Sequence, residues 1–150
     1  MILFDQAPEF ERELKKLSKK WRSLPNDINL AQRVISGIYE PQQNVPIEQV
    51  RNEFFSGNNA TPLKINDTYE VIKMRLFCKD LQTNKMIRIV FIFIRNHDRI
   101  LLIELYAHND KNREDDYRID KYAKIIEKDK WKVGGFMCLD FGRVSIVLAF

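Results

Sequence analysis

The spacing of apolar residues predicts two helices near the start of the chain. Over 8–22, apolar side chains recur every three or four residues, and Pro8 stands where a first helical turn tolerates proline. This stripe consists of Phe10, Leu14, Leu17 and Trp21. A second stripe predicts a helix from 26 or 27 to 39 and consists of Ile28, Ala31, Val34, Ile35 and Ile38. The break at 23–26 carries capping residues, so we expect an antiparallel helical hairpin.

Three later segments have the pattern of β-strands. Residues 69–77 alternate, with Lys73 and Arg75 on one side and Ile72 on the other. Residues 86–94 are almost entirely apolar, as in a central strand covered on both faces, with Arg88 as the one charge. Residues 99–107 are similar but carry Glu104. The connections are short and polar, which predicts an antiparallel meander.

The remaining segments complete an α+β fold class. Residues 113–128 return to helical spacing, whereas 40–68 has a weak pattern and is interpreted as an insertion or covering loop with a short helix over 46–55. Residues 129–150 are interpreted as a C-terminal extension with four alternatives: one or two strands added at a sheet edge, a cover over the open face of the sheet, a contact with a partner, or a segment without a role in activity. We therefore expect an N-terminal helical hairpin packed on a three- to five-stranded antiparallel sheet, followed by a C-terminal helix.

Composition narrows the class of protein. The 150 residues are 45% hydrophobic and 31% charged, which excludes a disordered or low-complexity chain. No apolar run is long enough to cross a bilayer, and the first residues lack the features of a signal peptide, so we expect a cytoplasmic protein with no membrane partner. Cys78 and Cys138 lack metal-ligand spacing, and we expect no metal and no cofactor.

The positions of the basic residues suggest a phosphate site. The net charge is only +4, but Lys73, Arg75 and Arg88 fall on one face of adjacent predicted strands, within reach of one phosphate. Arginine suits this role because its planar fork donates two hydrogen bonds to phosphate oxygens. The alternative is that Arg88 extends to solvent or pairs with Glu104. Glu104 itself has three open roles, as a base, as an orienter of Arg88 or in a structural salt bridge.

Two further groups have residue types suited to RNA. His108 ends the third predicted strand, and histidine exchanges protons readily near neutral pH, although a histidine at a strand end is often only a surface group. A basic cluster on the first predicted helix suits phosphate neutralisation, or is a solvated face; it consists of Lys15, Lys16, Lys19, Lys20 and Arg22.

The order of four segments resembles the RelE/ParE toxin superfamily. They are PEFERELKKL at 8–17, IKMRL at 72–76, IRIVF at 87–91 and LYAHNDK at 105–111. The resemblance covers residues 2–127, and the order and spacing of the segments carry it. It implies a RelE-like domain over 1–128 with the microbial RNase fold. Relatives often carry Lys or Arg where this chain has His108.

The resemblance also implies a function. It implies the toxin of a type II toxin–antitoxin system, a ribosome-dependent endoribonuclease that cuts mRNA without a metal, with a cognate antitoxin through which it oligomerises. Tyr117 corresponds to a tyrosine that stacks on an exposed base, and Lys111 adds a phosphate contact beside Arg88, His108 and Lys73. A ParE-like toxin that inhibits DNA gyrase and an inactive relative that only binds its partner are the alternatives.

Overall fold

A computed structural model describes residues 1–40, 46–129, 136–140 and 145–149. The elements in these ranges define an α+β fold, as the pattern predicts. In chain order they are β1 (Leu3–Gln6), α1 (Pro8–Ser18), α2 (Leu24–Tyr39), α3 (Ile47–Ser56), β2 (Ala60–Ile65), β3 (Tyr69–Cys78), β4 (Thr83–Ile94), β5 (Arg99–Ala107), α4 (Asp116–Asp129), β6 (Phe136–Asp140) and β7 (Ser145–Ala149). The helix bounds fit the predicted stripes except that α1 ends at Ser18, α2 begins at Leu24 within the predicted break, and α4 begins at Asp116.

The centre of the molecule is a five-stranded sheet in the order β1-β5-β4-β3-β2. Its three middle strands form the expected antiparallel meander. β4 is buried on both faces along 89–92, which explains its continuous apolar sequence. Tyr39 of α2 packs on Phe91 and Phe93 on one face. On the other face, Lys73 and Glu104 contact the residues just before α4, so helices cover both sides of the sheet.

The sheet differs from the prediction at both edges. It is mixed rather than antiparallel, because β1 pairs in parallel with β5. β2 pairs with β3 and lies inside 40–68, which the pattern did not identify as strand. β1 has only four residues and no clear alternation, and Pro62 interrupts the pattern of β2. A proline is tolerated in β2 because an edge strand does not need every backbone donor.

The predicted strands of the extension form elsewhere than expected. β6 and β7 pair with each other as a two-stranded antiparallel sheet and, among the described residues, do not join the five-stranded sheet. A hairpin between neighbouring segments closes a shorter loop than pairing with a distant edge, and so costs less entropy. Residues 130–135, 141–144 and 150 of the predicted extension lie outside the described residues.

Side chains of α1 and α4 cover the part of β5 that β1 does not reach. β1 pairs with β5 only as far as Leu102. Beyond it, the backbone N–H of Leu105 donates to Glu13 at 3.2 Å, and Arg118 donates to the carbonyl of Ile103 at 3.0 Å. Arg118 and Glu13 form an ion pair with each other at 2.7 Å. Side chains therefore satisfy these backbone hydrogen-bonding groups at the edge of the sheet.

One buried carboxylate holds several elements together. Glu70 on β3 is fully buried and accepts a hydrogen bond from the hydroxyl of Tyr39 at 3.0 Å. Arg95, which follows β4, pairs with it at 2.7 Å, and Arg51 of α3 also contacts it. Because each partner comes from a different element, Glu70 fixes α2 and α3 against the sheet.

Candidate functional site

Four of the predicted site residues line one cavity. The cationic cavity, as we name it, has a volume of about 250 Å³ and contains Lys73, Arg75, Arg88 and His108 in its wall. The rest of its wall consists of Asn58, Asn59, Thr61, Met74, Tyr106 and Asn112. The strand register creates this grouping, because Arg75 faces Arg88 across β3 and β4. His108 follows β5, and its backbone N–H donates to the carbonyl of Met86 at 2.7 Å.

The two arginines form a pair of like charges. Burial and the positive charge of Arg75 lower the pKa of Arg88. The Arg88 guanidinium donates to the backbone oxygen of Lys85 at 2.7 Å. Within the described ranges, neither guanidinium has a carboxylate partner, and Glu104 does not pair with Arg88. Like charges opposite each other on a sheet are destabilising unless an anion lies between them, so the arrangement suits an anionic ligand.

Tyr106 belongs to the cavity, although the sequence analysis did not select it. It faces Arg88 across β4 and β5, and its residue is only 6% exposed. Burial, together with the negative charges of Glu114 and Glu104, raises the pKa of Tyr106 to about 12. Its hydroxyl therefore stays protonated at neutral pH and donates hydrogen bonds. The strand alternation places Tyr106 on the side of His108, and this was the signal that pointed to it.

Three predicted residues, Lys73, Glu104 and Lys111, are engaged in ion pairs. Lys73 lines the cavity, but its ammonium lies 3.0 Å from Glu114, which neutralises part of its charge. Glu104 is fully buried, pairs with Lys111 at 2.6 Å and accepts the backbone N–H of Asp115 at 2.9 Å. Its carboxylate thus has the salt-bridge role, and it holds the loop that precedes α4. Glu104 is not part of the cavity wall.

The other predicted residues lie away from the cationic cavity. Tyr117 is 80% exposed and lines a separate depression with Lys121 and Lys124. Lys111 lies outside the wall, with its ammonium 5.2 Å from the ring centroid of Tyr106. The basic cluster that begins on α1 is exposed, and its members are Lys15, Lys16, Lys19, Lys20 and Arg22. It forms a second basic surface, and its predicted RNA contact, like that of Tyr117, stays a prediction.

The described part of the chain lacks two kinds of feature, a metal-binding cluster and a membrane-spanning helix. There, no three His, Cys, Asp or Glu side chains lie close enough together to hold a metal ion. In the same ranges, no helix is both sufficiently long and sufficiently apolar to cross a bilayer. The cavity therefore offers cationic side chains, an imidazole, a phenol and amides to a ligand.

Comparison with known proteins adds no further information on identity. No family model, no curated protein and no solved structure matches this chain.

Proposed function

We propose that this protein cleaves RNA within the cationic cavity, as the toxin of a type II toxin–antitoxin system. The observation that carries the proposal is the Arg75–Arg88 pair, which faces a cavity that also holds His108 and Tyr106. A phosphodiester supplies the negative charge that this pair lacks within the described residues. His108 supplies a proton acceptor, and Tyr106 supplies a proton donor.

The proposed reaction is attack by the ribose 2′-hydroxyl on the adjacent phosphate. His108 takes the 2′-hydroxyl proton while the 2′-oxygen bonds to phosphorus. Arg75 and Arg88 bind the non-bridging oxygens and stabilise the additional negative charge of the phosphorane. The bond to the 5′-oxygen then breaks, and Tyr106 gives that oxygen a proton. The products are a 2′,3′-cyclic phosphate and a 5′-hydroxyl end. His108 then releases its extra proton to water, and Tyr106 takes a proton back from water.

The biological setting of the proposal rests on the sequence resemblance. Three of the four segments that resemble RelE-like toxins supply Lys73, Arg75, Arg88 and His108, all of which line the cavity. A ribosome-bound mRNA is the proposed substrate, and a cognate antitoxin is the proposed partner. The exposed basic cluster that begins on α1 would contact ribosomal RNA through its phosphates.

Inducible expression with mapping of transcript 5′ ends tests the proposal. The parent protein should create new ends that carry a 5′-hydroxyl, and Arg88→Ala should reduce their number about 100-fold or more. Arg33→Ala is the matched control, because Arg33 is an exposed arginine of α2 outside the cavity, and it should cleave like the parent. Circular dichroism and thermal melting establish that each variant is folded.

Three outcomes would contradict the nuclease proposal. Growth arrest without new transcript ends would favour the gyrase alternative, which a supercoiling assay then tests directly. A folded parent protein that causes neither arrest nor new ends would favour an inactive relative. Undiminished cleavage by a folded Arg88→Ala variant would remove the cavity from the mechanism.

A further inference from the structure

A second cavity adjoins the cationic one. The apolar cavity, as we name it, has a volume of about 390 Å³ and lies between α2, α3 and the end of β3. Its apolar wall consists of Leu30, Ala31, Val34, Phe54, Met74, Leu76 and Phe77. Its polar side chains are Arg75, Asn59, Asn84 and the carboxylates of Asp27 and Glu53. This size and this mixture of many apolar and few polar groups are typical of a small-molecule site, for which volumes of roughly 300–1,000 Å³ are usual.

The two cavities share part of their walls. Asn59, Met74 and Arg75 line both of them. β2 pairs with β3 only as far as Met74, so the last residues of β3 are free of a strand neighbour on that side. Arg75 and Phe77 are two residues apart on β3, and both line the apolar cavity. The pairing of β3 with β4 shifts register at Phe77. A ligand that binds Arg75 in this cavity can therefore reach Phe77.

The apolar wall is unusually accessible to solvent. Phe77 is 54% exposed, Val34 is 56% exposed and Leu30 is 49% exposed. These side chains are separated in sequence, yet they line one cavity. Large apolar side chains that gather at an open cavity mark a site that binds an apolar surface. Arg75 lines both cavities, so a ligand that extends from one to the other can carry a negative charge.

Two amides supply hydrogen-bonding groups to this cavity. Asn84 donates through its Nδ2 to the Oδ1 of Asn59 at 3.1 Å. Within the described residues, the Nδ2 of Asn59 and the Oδ1 of Asn84 have no protein partner. One donor and one acceptor are thus available beside the apolar wall. A nucleobase combines flat apolar faces with donors and acceptors along its edge, and it is attached to a phosphate.

We propose that the apolar cavity binds the nucleobase next to the phosphate held by Arg75 and Arg88, with Phe77 as the aromatic residue that stacks on it. The two cavities then form one nucleotide site. This inference rests on the proposed function, since it takes the anion to be an RNA phosphate. It names Phe77 rather than Tyr117 as the stacking residue, because Phe77 adjoins Arg75 in the apolar cavity whereas Tyr117 lines a different depression.

Binding titrations of the purified protein test the inference. The probes are the four nucleoside 3′-monophosphates, with ribose 5-phosphate and inorganic phosphate as ligands without a base. We expect at least one nucleotide to bind about tenfold or more tightly than ribose 5-phosphate, as base stacking on an aromatic ring predicts. Phe77→Ala should remove this difference and leave the affinity for inorganic phosphate unchanged. Ile65→Ala is the control, because Ile65 is 51% exposed on β2 and outside both cavities, and it should bind like the parent.

The possible failures separate the two proposals. If phosphate binds but a base adds no affinity, the nucleobase inference is wrong and an apolar side chain of a protein partner becomes the better occupant. If phosphate and nucleotides both fail to bind a folded parent protein, the anion site itself is wrong, and so is the proposed function. If nucleotides bind in a manner that depends on Phe77 but RNA is not cleaved, the base site stands and the catalytic proposal is wrong.

Discussion

Replacing one arginine of the cationic cavity should stabilise the fold while it weakens anion binding. We consider Arg75→Gln, which removes the charge and keeps most of the side-chain length. Arg75 is a better choice than Arg88 for this measurement. The Arg88 guanidinium donates to the backbone oxygen of Lys85, so replacing Arg88 would remove a hydrogen bond as well as a charge. Arg33→Gln on α2 serves as the control, since Arg33 is exposed and lies outside the cavity.

The magnitude follows from the repulsion between the two guanidinium groups. For a separation of about 6 Å and an effective dielectric constant of roughly 40 to 80, the repulsion is about 0.7–1.4 kcal/mol. Salt at about 0.15 M reduces it to roughly half, because the screening length is then about 8 Å. In a chain of this size, each kcal/mol corresponds to about 2–4 °C in Tm. We therefore expect the Tm of Arg75→Gln to lie about 2–4 °C above that of the parent at low salt. At physiological salt this increase should be about half as large.

Thermal melting with added phosphate completes the experiment. Phosphate at about ten times its Kd should stabilise the parent by about 1.4 kcal/mol, which corresponds to about 3–6 °C. The same concentration should stabilise Arg75→Gln less, because one of the two phosphate-binding groups is gone. A lower Tm of Arg75→Gln, without a lower Tm of Arg33→Gln, would contradict the proposed repulsion. Equal stabilisation of the parent and of Arg75→Gln by phosphate would contradict the role of Arg75 in anion binding.

Three further predictions concern other side chains. Tyr106→Phe should slow single-turnover RNA cleavage by about 10- to 100-fold with little change in Tm, whereas an equal effect from Tyr117→Phe alone would point to the other tyrosine. Glu70→Gln should lower the free energy of unfolding in urea by about 2–3 kcal/mol, because it removes a buried charge with three partners, and a loss below about 0.5 kcal/mol would contradict that role. Burial raises the pKa of Glu9, but the hydrogen bond from Tyr122 and the charge of Lys121 outweigh it and hold the pKa below 4.5. The stabilisation by Glu9 is therefore present above this value and is lost as the pH falls through the lowered pKa. We expect the loss of stability caused by Tyr122→Phe to be smaller at pH about 3 than at pH about 7, and an equal loss at both pH values would contradict this role.

The middle of the fold was predictable because its signals are local. Alternation defines each strand of the meander, and short polar turns fix their antiparallel order. The register that follows brings Arg75 opposite Arg88, so the main feature of the site was accessible from the sequence. Tyr106 was accessible by the same parity argument, because it lies on the same side of its strand as Glu104 and His108.

The sheet edges were not predictable for physical reasons. β1 is short and pairs with a strand about a hundred residues away, so nothing near Leu3–Gln6 indicates its partner. Pro62 gives β2 the sequence of a loop. The apolar cavity depends on α2, α3 and β3 meeting in space, and no sequence pattern reports such a meeting. The ion pair between Lys73 and Glu114 likewise depends on where α4 begins.

The contacts of Glu13 and Arg118 with β5 have a consequence for self-association. An uncovered strand edge is a template on which a second chain can add its own strand and begin to aggregate. On this flank the N–H of Leu105 and the carbonyl of Ile103 are already bonded, and β1 occupies the remainder. Intermolecular strand addition to this sheet would therefore have to start from the opposite flank, at β2, where Pro62 interrupts the row of backbone donors.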